Sequence, residues 1–391
     1  MEEKIILHSG KKGMTNYGHP WIYKGQIKDA PMKNPGGVYS VYSQNGRFLG
    51  KGYFNPKSEI SIRLLTYKDE IVDEGFFKKR LTEALEFRNR FIKDTDAYRV
   101  VFSESDRLPG LIVDRYADTV VFQILTLGME RKRDLLTDII KELLCPKFIY
   151  EKSDSSSRRL EGLDIVKGWH GPEGKRDIAI SEGSVKFLVD IVEGHKTGFY
   201  LDQRESRIAI KDFSKGRRVL DCFSYTGGFA VYSSLFGANE VLGIDIHDAQ
   251  IDLAKKNTKL NGISEKKITF RAANVFEALK EFDRSRERFD LVILDPPSFV
   301  KSKKAIEGAL TGYKEINLRA MKILAKGGIL ATFSCSGHME EDLFLQVILD
   351  AAFDTKKDVK ILKRLVQSID HPIDPFIPQT SYLKGFILEI S

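Results

Sequence analysis

Two short stretches near the C-terminal third carry residue types that could do chemistry together. Asp295-Pro296-Pro297-Ser298-Phe299 follows the apolar run 291–294. Consecutive prolines remove backbone donors and fix the chain direction. They would hold the Asp295 carboxyl and the Pro296 carbonyl rigidly, where these could grip a planar base by an exocyclic amine and a ring nitrogen. Cys335 stands between Ser334 and Ser336, directly after the apolar run 329–333, with Gly337 and a helix to follow. A free cysteine is commonly a buried hydrophobe; Cys222 in the loop after Asp221 and Cys145 at a helix end both look structural. Near a helix N-terminus, however, local dipoles favour a thiolate. The chemistry this pair could do is specific. C5 of a pyrimidine is a poor nucleophile until a thiolate adds to C6 and makes C5 enamine-like. An acid at N3 would steady the charge that develops. Methylating an exocyclic amine instead would need only the acid, so the role of Cys335 separates the two chemistries.

A third stretch, Val219 to Gly228, suggests the other reactant. An apolar run ends in Asp221, then a tight loop with Gly227 and Gly228 leads into an apolar helix. Dinucleotide-binding sheets place three spaced glycines there, because a pyrophosphate must sit on the helix N-terminus. Here the glycines are adjacent, and an acid would repel phosphate. An acid suits a cationic ligand with an amino group, and S-adenosylmethionine carries a sulfonium, an α-amino group and no phosphate. The next strand ends in Asp245, about 20 residues after the loop, where nucleotide-binding sheets set a carboxylate on ribose hydroxyls. Asp248 is the better placed of the two to cap the helix that follows.

These acids and the cysteine must be positioned by something. From Arg218 onward the pattern alternates strand and helix, and each of these residues falls at a strand C-terminus. Ligands of open α/β sheets bind at that edge. The expected fold is therefore a doubly wound, mostly parallel sheet, with the strands ending at Asp295 and Ser334 as neighbours. Runs 361–366 and 386–390 are expected to close it as an antiparallel pair. Just before the first strand, 193–204 packs His195, Lys196, Thr197, Phe199, Asp202 and Arg204 densely, as a lid over the ligand edge would.

Residues 1–70 read differently, as short strands with turn punctuation, a small β-barrel pattern. They hold nine Lys and two Arg against six acids, an excess of five in a chain whose net charge is +7. Lys11, Lys12, His19, Tyr23 and Lys24 mix cations with aromatic faces, a combination suited to RNA, while Trp21 is expected to fill the barrel core. Residues 71–190 read as a compact α+β module opening with a helix over 76–93, and a flexible join is expected over 162–177. With 42% hydrophobic and 30% charged residues and three dispersed cysteines, the chain reads as a reduced, cytoplasmic protein. The composition offers no disulfide framework or metal site. No apolar run approaches the ~20 residues of a membrane span, and no signal peptide is legible.

Residues 1–70 resemble the PUA domain through His19-Pro20-Trp21-Ile22-Tyr23 and the segment from Gly50 to Pro56. The whole chain resembles the PUA-domain-containing class I methyltransferases that make 5-methylcytosine in bacterial 23S rRNA. Those segments carry the likeness together with Leu108 to Tyr116, His195 to Arg204, Asp221 to Gly228, Asp295-Pro296-Pro297 and Ser334-Cys335-Ser336. The resemblance implies a PUA domain (1–70), a central α+β module (71–190) and a Rossmann-like methyltransferase domain (191–391), often as a dimer, with RNA as partner and S-adenosylmethionine as cofactor. The expected cofactor-binding residues are Thr197, Phe199, Asp202, Arg204, Asp221, Phe223, Ser224, Gly227, Asp245, Ile246, Asn274, Val275, Asp295 and Pro296. Asn274 and Val275 would edge the adenine, although many methyltransferases carry Asp where Asn274 stands. Ser298 occupies the place of a cysteine in another group of 5-methylcytosine enzymes, which argues against a two-cysteine mechanism. The alternatives are an RNA N-methyltransferase acting on an exocyclic amine, and an inactive RNA-binding assembly factor.

Overall fold

The computed structural model describes residues 4–8, 18–31, 33–299 and 306–391. The chain forms two compact units. The first comprises Met1–Ile180, Val189–Leu201 and Ile369–Thr380, the second Ser181–Leu188, Asp202–Ser368 and Ser381–Ser391.

The first unit holds two sheets. Strands β1 (Lys4–Leu7), β2 (Trp21–Ile22), β3 (Ile27–Asp29), β4 (Val38–Tyr42), β5 (Phe48–Phe54) and β6 (Ile62–Thr66) make a six-stranded sheet in the order β2-β6-β5-β4-β1-β3. Its core includes Ile5, Ile22, Val41, Phe54 and Leu64. The Gly50 to Pro56 segment owes its composition to packing. A side chain at Gly52 would lie 2.3 Å from the Arg63 carbonyl, and the Asn55 amide donates to Glu161 at 2.8 Å. Trp21 is only half-buried, because its indole N–H reaches out to Glu104 at 3.0 Å instead of entering the core.

The second sheet of this unit runs β11-β10-β9-β8-β7, from β7 (Ala97–Phe102), β8 (Leu111–Tyr116), β9 (Thr119–Ile124), β10 (Phe148–Ser153) and β11 (Val166–Trp169). The helix expected over 76–93 spans Glu74–Phe91, started by the Asp73 side chain accepting from the Phe76 N–H at 3.1 Å. Its face of Phe77, Leu81 and Ala84 packs with Val101, Val113 and Phe122 of the sheet. The expected flexible join over 162–177 is a correction. It contains β11, which pairs antiparallel with β10 from Tyr150↔Trp169 to Ser153↔Val166. Four residues of moderate apolarity gave too little signal against the glycines around them.

A hairpin of β12 (Asp177–Glu182) and β13 (Val185–Asp190) lies in sequence where the chain first passes between units. The second unit is built on β14 (Arg218–Cys222), β15 (Glu240–Asp245), β16 (Ile268–Ala272), β17 (Phe289–Leu294), β18 (Leu324–Ser334), β19 (Val359–Val366) and β20 (Lys384–Ile390). Their order is β16-β15-β14-β17-β18-β20-β19. The first five strands pair in parallel, and β20 inserts antiparallel between β18 and β19. Alternate residues serve opposite faces: Leu220, Val292 and Leu330 join one core cluster, while Val219, Leu291 and Ile329 join the other. Both faces are therefore covered, as a parallel sheet requires. The strand order reverses between β14 and β17, so the crevice for a ligand opens at their carboxyl ends. Among the described residues no helix is long and apolar enough to cross a membrane.

Candidate active site

Asp221 lies at the reversal point and is fully buried. One carboxylate oxygen accepts the Ala230 N–H at 2.9 Å, from the first turn of the helix Gly228–Leu235. The other oxygen has no hydrogen-bond partner. Burial pushes its pKa well above the carboxylate range, and Asp295 and Asp245 push it further in the same direction. No ion pair relieves this among the described residues. A buried acid held this way calls for a donor.

The loop after Asp221 is shaped for close approach. Phe223, Tyr225 and Gly227 take positive φ values of 63°, 50° and 81°. Such backbone is sparsely populated outside glycine and gathers at ligand sites. A side chain at Gly227 would meet Phe270 at 3.0 Å and Ala254 at 3.1 Å. The Ser224 and Thr226 hydroxyls are buried without a hydrogen-bond partner. Asp245, at the end of β15, accepts the Tyr225 N–H at 2.9 Å and the His247 N–H at 3.2 Å. That second bond makes Asp245 a brace for the turn into the helix Asp248–Leu260, while Asp248 is that helix's first residue and not its cap. Ile246 beside it is 58% exposed.

The remaining expected positions divide. Asn274 is the N-cap of the helix Val275–Ser285, its side-chain oxygen accepting from Phe276 and Glu277 at 2.9 and 3.3 Å. Val275 is buried in the core with Leu279 and Phe282. The cap engages the amide oxygen of Asn274, and the Val275 side chain is engaged in packing. Asp202 and Arg204 begin the second unit. The Asp202 carboxylate accepts the Tyr382 hydroxyl at 2.6 Å, and Arg204 is 6% exposed at the start of the helix Arg204–Ile210.

Thr197 and Phe199 belong to the first unit. Both are buried. The Thr197 hydroxyl donates to Asp114 at 2.5 Å and bonds the Tyr116 hydroxyl at 2.8 Å. The dense polar stretch 193–204 is divided between the two units. Of the expected RNA contacts, Tyr23 and Lys24 are exposed. His19 is buried, with one ring nitrogen against Gln379 at 2.9 Å and the other accepting the Trp21 N–H at 3.2 Å. Lys11 and Lys12 lie outside the described residues.

Asp295 follows β17, and Cys335 follows β18, its parallel neighbour, in register from Leu291↔Ile329 to Leu294↔Thr332. The Cys335 thiol donates to the Pro296 carbonyl at 3.9 Å. The thiol and the Asp-Pro-Pro segment are therefore adjacent despite their separation in sequence. Sequence reasoning missed three partners here. Gln203, 2% exposed, donates its amide N–H to Asp295 at 2.9 Å. Its one signal was membership of the polar stretch. Tyr313, buried beneath Ser334 and accepting its hydroxyl at 3.0 Å, has a phenol pushed up to about 12 by burial. Lys384 reaches the Ser336 carbonyl from β20 at 2.9 Å, and no local signal could have paired these two.

The arrangement is an acceptor-rich edge of three aspartates and two orphan hydroxyls, with strained backbone close by. That donor set suits the amino group, sulfonium and diol of S-adenosylmethionine and is hostile to a phosphate ligand. Fold and site together define an S-adenosylmethionine-binding transferase of the open α/β class.

Comparison with known proteins agrees. Residues 159–376 match the family model of the S-adenosylmethionine-dependent methyltransferases, and residues 5–67 match that of the PUA-like domain. The chain belongs to the S-adenosylmethionine-dependent methyltransferase family, beside the proteins named ribosomal RNA large subunit methyltransferase I. The one from Aeromonas salmonicida is 43% identical over 390 residues, covering 98% of each chain. The one from Vibrio cholerae is 42% identical over 396 residues, covering both chains fully. The fold is shared with a crystal structure of a methyltransferase, SMU.776, complexed with SAH. It is 22% identical with a TM-score of 0.87, over 99% of this chain and 100% of that one. A methyltransferase from Streptococcus mutans, also 22% identical, superposes over 98% of this chain and 100% of its own with a TM-score of 0.85. S-adenosylmethionine is the cofactor, and the residues that fit it are Asp221, Ser224, Thr226 and Asp245 with the loop backbone.

Proposed function

We propose that this protein methylates C5 of a cytosine in large-subunit ribosomal RNA, through a covalent adduct on Cys335. The RNA class is supported by the names of the relatives, the PUA-like segment and the basic excess of residues 1–70. The observation that carries the chemistry is the seating of Cys335 against Pro296, one strand from Asp295 at the cofactor edge. A nucleophile there is superfluous for methylating an amine and necessary for methylating C5.

The roles follow from the positions. Cys335 loses its proton, and its sulfur lone pair forms a bond to C6. The C5–C6 π pair moves onto C5 and, through C4, toward N3. The Asp295 carboxyl, oriented by the Gln203 amide, hydrogen-bonds N3 as that charge develops. The cofactor supplies a methyl group on a sulfonium, which C5 takes as the S–CH3 pair leaves with sulfur. A base then removes the C5 proton, the C5–H pair reforms the C5–C6 double bond, and the Cys335 thiolate departs. The Asp221 carboxylate and the orphan hydroxyls bind and orient the cofactor throughout.

The test uses large-subunit RNA with 5-fluorocytidine in place of cytidine, because fluorine cannot leave C5 as a proton does. On a denaturing gel, wild type should form a shifted band with cofactor present, and Cys335→Ala should not. Cys335→Ala should also lose methyl transfer while keeping cofactor affinity. Full methylation by Cys335→Ala would overturn the reading in favour of an exocyclic-amine target.

A further inference from the structure

Lys384 is 6% exposed in the core of the second unit. It pairs in register with Ser334, the residue before Cys335, on β18, and with Val366 on β19. Its ammonium donates to the Ser336 carbonyl at 2.9 Å and to the Tyr382 carbonyl at 3.1 Å. Those two carbonyls use two of its three donors. No carboxylate pairs with it among the described residues. A buried ammonium without a counter-ion is costly and normally either finds an acid or gives up its proton. The charged groups around it leave few partners. Glu340 and Glu341 on the turn and helix after Cys335 act on it from a distance, and Glu341 is engaged by Arg364 of β19 at 2.6 Å. The Tyr313 phenol beneath Ser334 is neutral at ordinary pH. Cys335 lies between Ser334, which pairs in register with Lys384, and Ser336, whose carbonyl the ammonium contacts.

We infer that Lys384 is a positioning residue whose ammonium compensates the thiolate of Cys335, completing an ion pair that forms when the thiol releases its proton to solvent. This rests on the covalent-adduct reading and deepens it. The same charge stabilises the sulfur as attacking group at C6 and again as leaving group when the double bond reforms. Both carbonyls hold the ammonium in place. Burial holds the Lys384 pKa below its ordinary value, and the charge of Cys335 opposes that pull in part.

The experiment is alkylation of the full-length protein by iodoacetamide across pH, read at the Cys335 peptide by mass spectrometry. Wild-type Cys335 should show its midpoint below the ordinary thiol value of about 8.5, and at neutral pH Lys384→Met should alkylate at least about tenfold more slowly, a shift of one pKa unit. Lys384→Arg, which keeps the charge, should restore most of the difference. Methyl transfer by Lys384→Met should recover as pH rises, with cofactor affinity unchanged at every pH. A wild-type midpoint at or above the ordinary value would overturn the inference even if Lys384→Met did not fold. So would identical midpoints in wild type and a folded Lys384→Met. Inactivity of Cys335→Ala beside an unshifted Lys384→Met would leave the adduct standing and remove Lys384 alone.

Discussion

Two buried aspartates, one in each unit, were built for opposite ends. Asp114 and Asp221 are both fully buried. Asp114 is saturated: Arg99 grips both its oxygens at 2.7 Å, and Thr197 adds a third donor. Asp221 has one backbone N–H and an orphan oxygen, with Asp245 and Asp295 repelling its charge. The first arrangement closes on itself and has nothing left to offer a ligand. The second is incomplete without one. Burial alone therefore does not mark a functional acid; an unmet acceptor does.

The largest effect should come from breaking the closed pair. Arg99→Met leaves Asp114 buried without its cation, which typically costs about 3–5 kcal/mol. Urea unfolding should show that loss in the first unit, and cofactor affinity of the protein that remains folded should be unchanged. A loss below ~1 kcal/mol would mean that the pair behaves as a surface bridge does.

Asp221→Asn should do the reverse. Cofactor affinity should weaken by about 1.5–3 kcal/mol, the range for a hydrogen bond to a charged group, while the ligand-free protein is no less stable. The pH dependence has a definite sign. The folded pKa of Asp221 is raised above its ordinary value near 3.8, so the folded state binds the proton more tightly than the unfolded state. Stability from this group is then fullest below that value and falls as pH climbs toward the raised folded pKa. Thermal melts of the ligand-free protein from pH 4 upward should show a decline that Asp221→Asn flattens. A wild-type profile that rises with pH through that window, by the share Asp221→Asn removes, would show the acid is paired after all.

The smallest effect separates a cap from a ligand contact. Asn274→Ala should cost about 1 kcal/mol of stability by removing the helix N-cap, with calorimetric cofactor affinity nearly unaltered. An affinity loss exceeding the stability loss would place Asn274 at the adenine edge.

Much of the sheet was legible from residue order alone. Each apolar run from 218 to 333 ended in a polar or acidic residue where the chain turned, and a parallel strand buried on both faces reads that way. Asp221, Asp245, Asp295 and Cys335 could be assigned to one edge on that basis, because strand direction fixes which end of every run faces the ligand. The same reasoning could not see which polar residues were already spent. Thr197 bonds Asp114, His19 bonds Gln379, and Asn274 caps a helix. Conversely, Gln203 and Lys384 looked like ordinary polar residues. Their contacts span 92 positions to Asp295 and 48 to Ser336. Local pattern determines which residues lie at a strand end or on a helix face, since that depends on short-range backbone geometry. Whether a buried charge is satisfied depends on partners delivered by distant strands, and only the tertiary structure decides that.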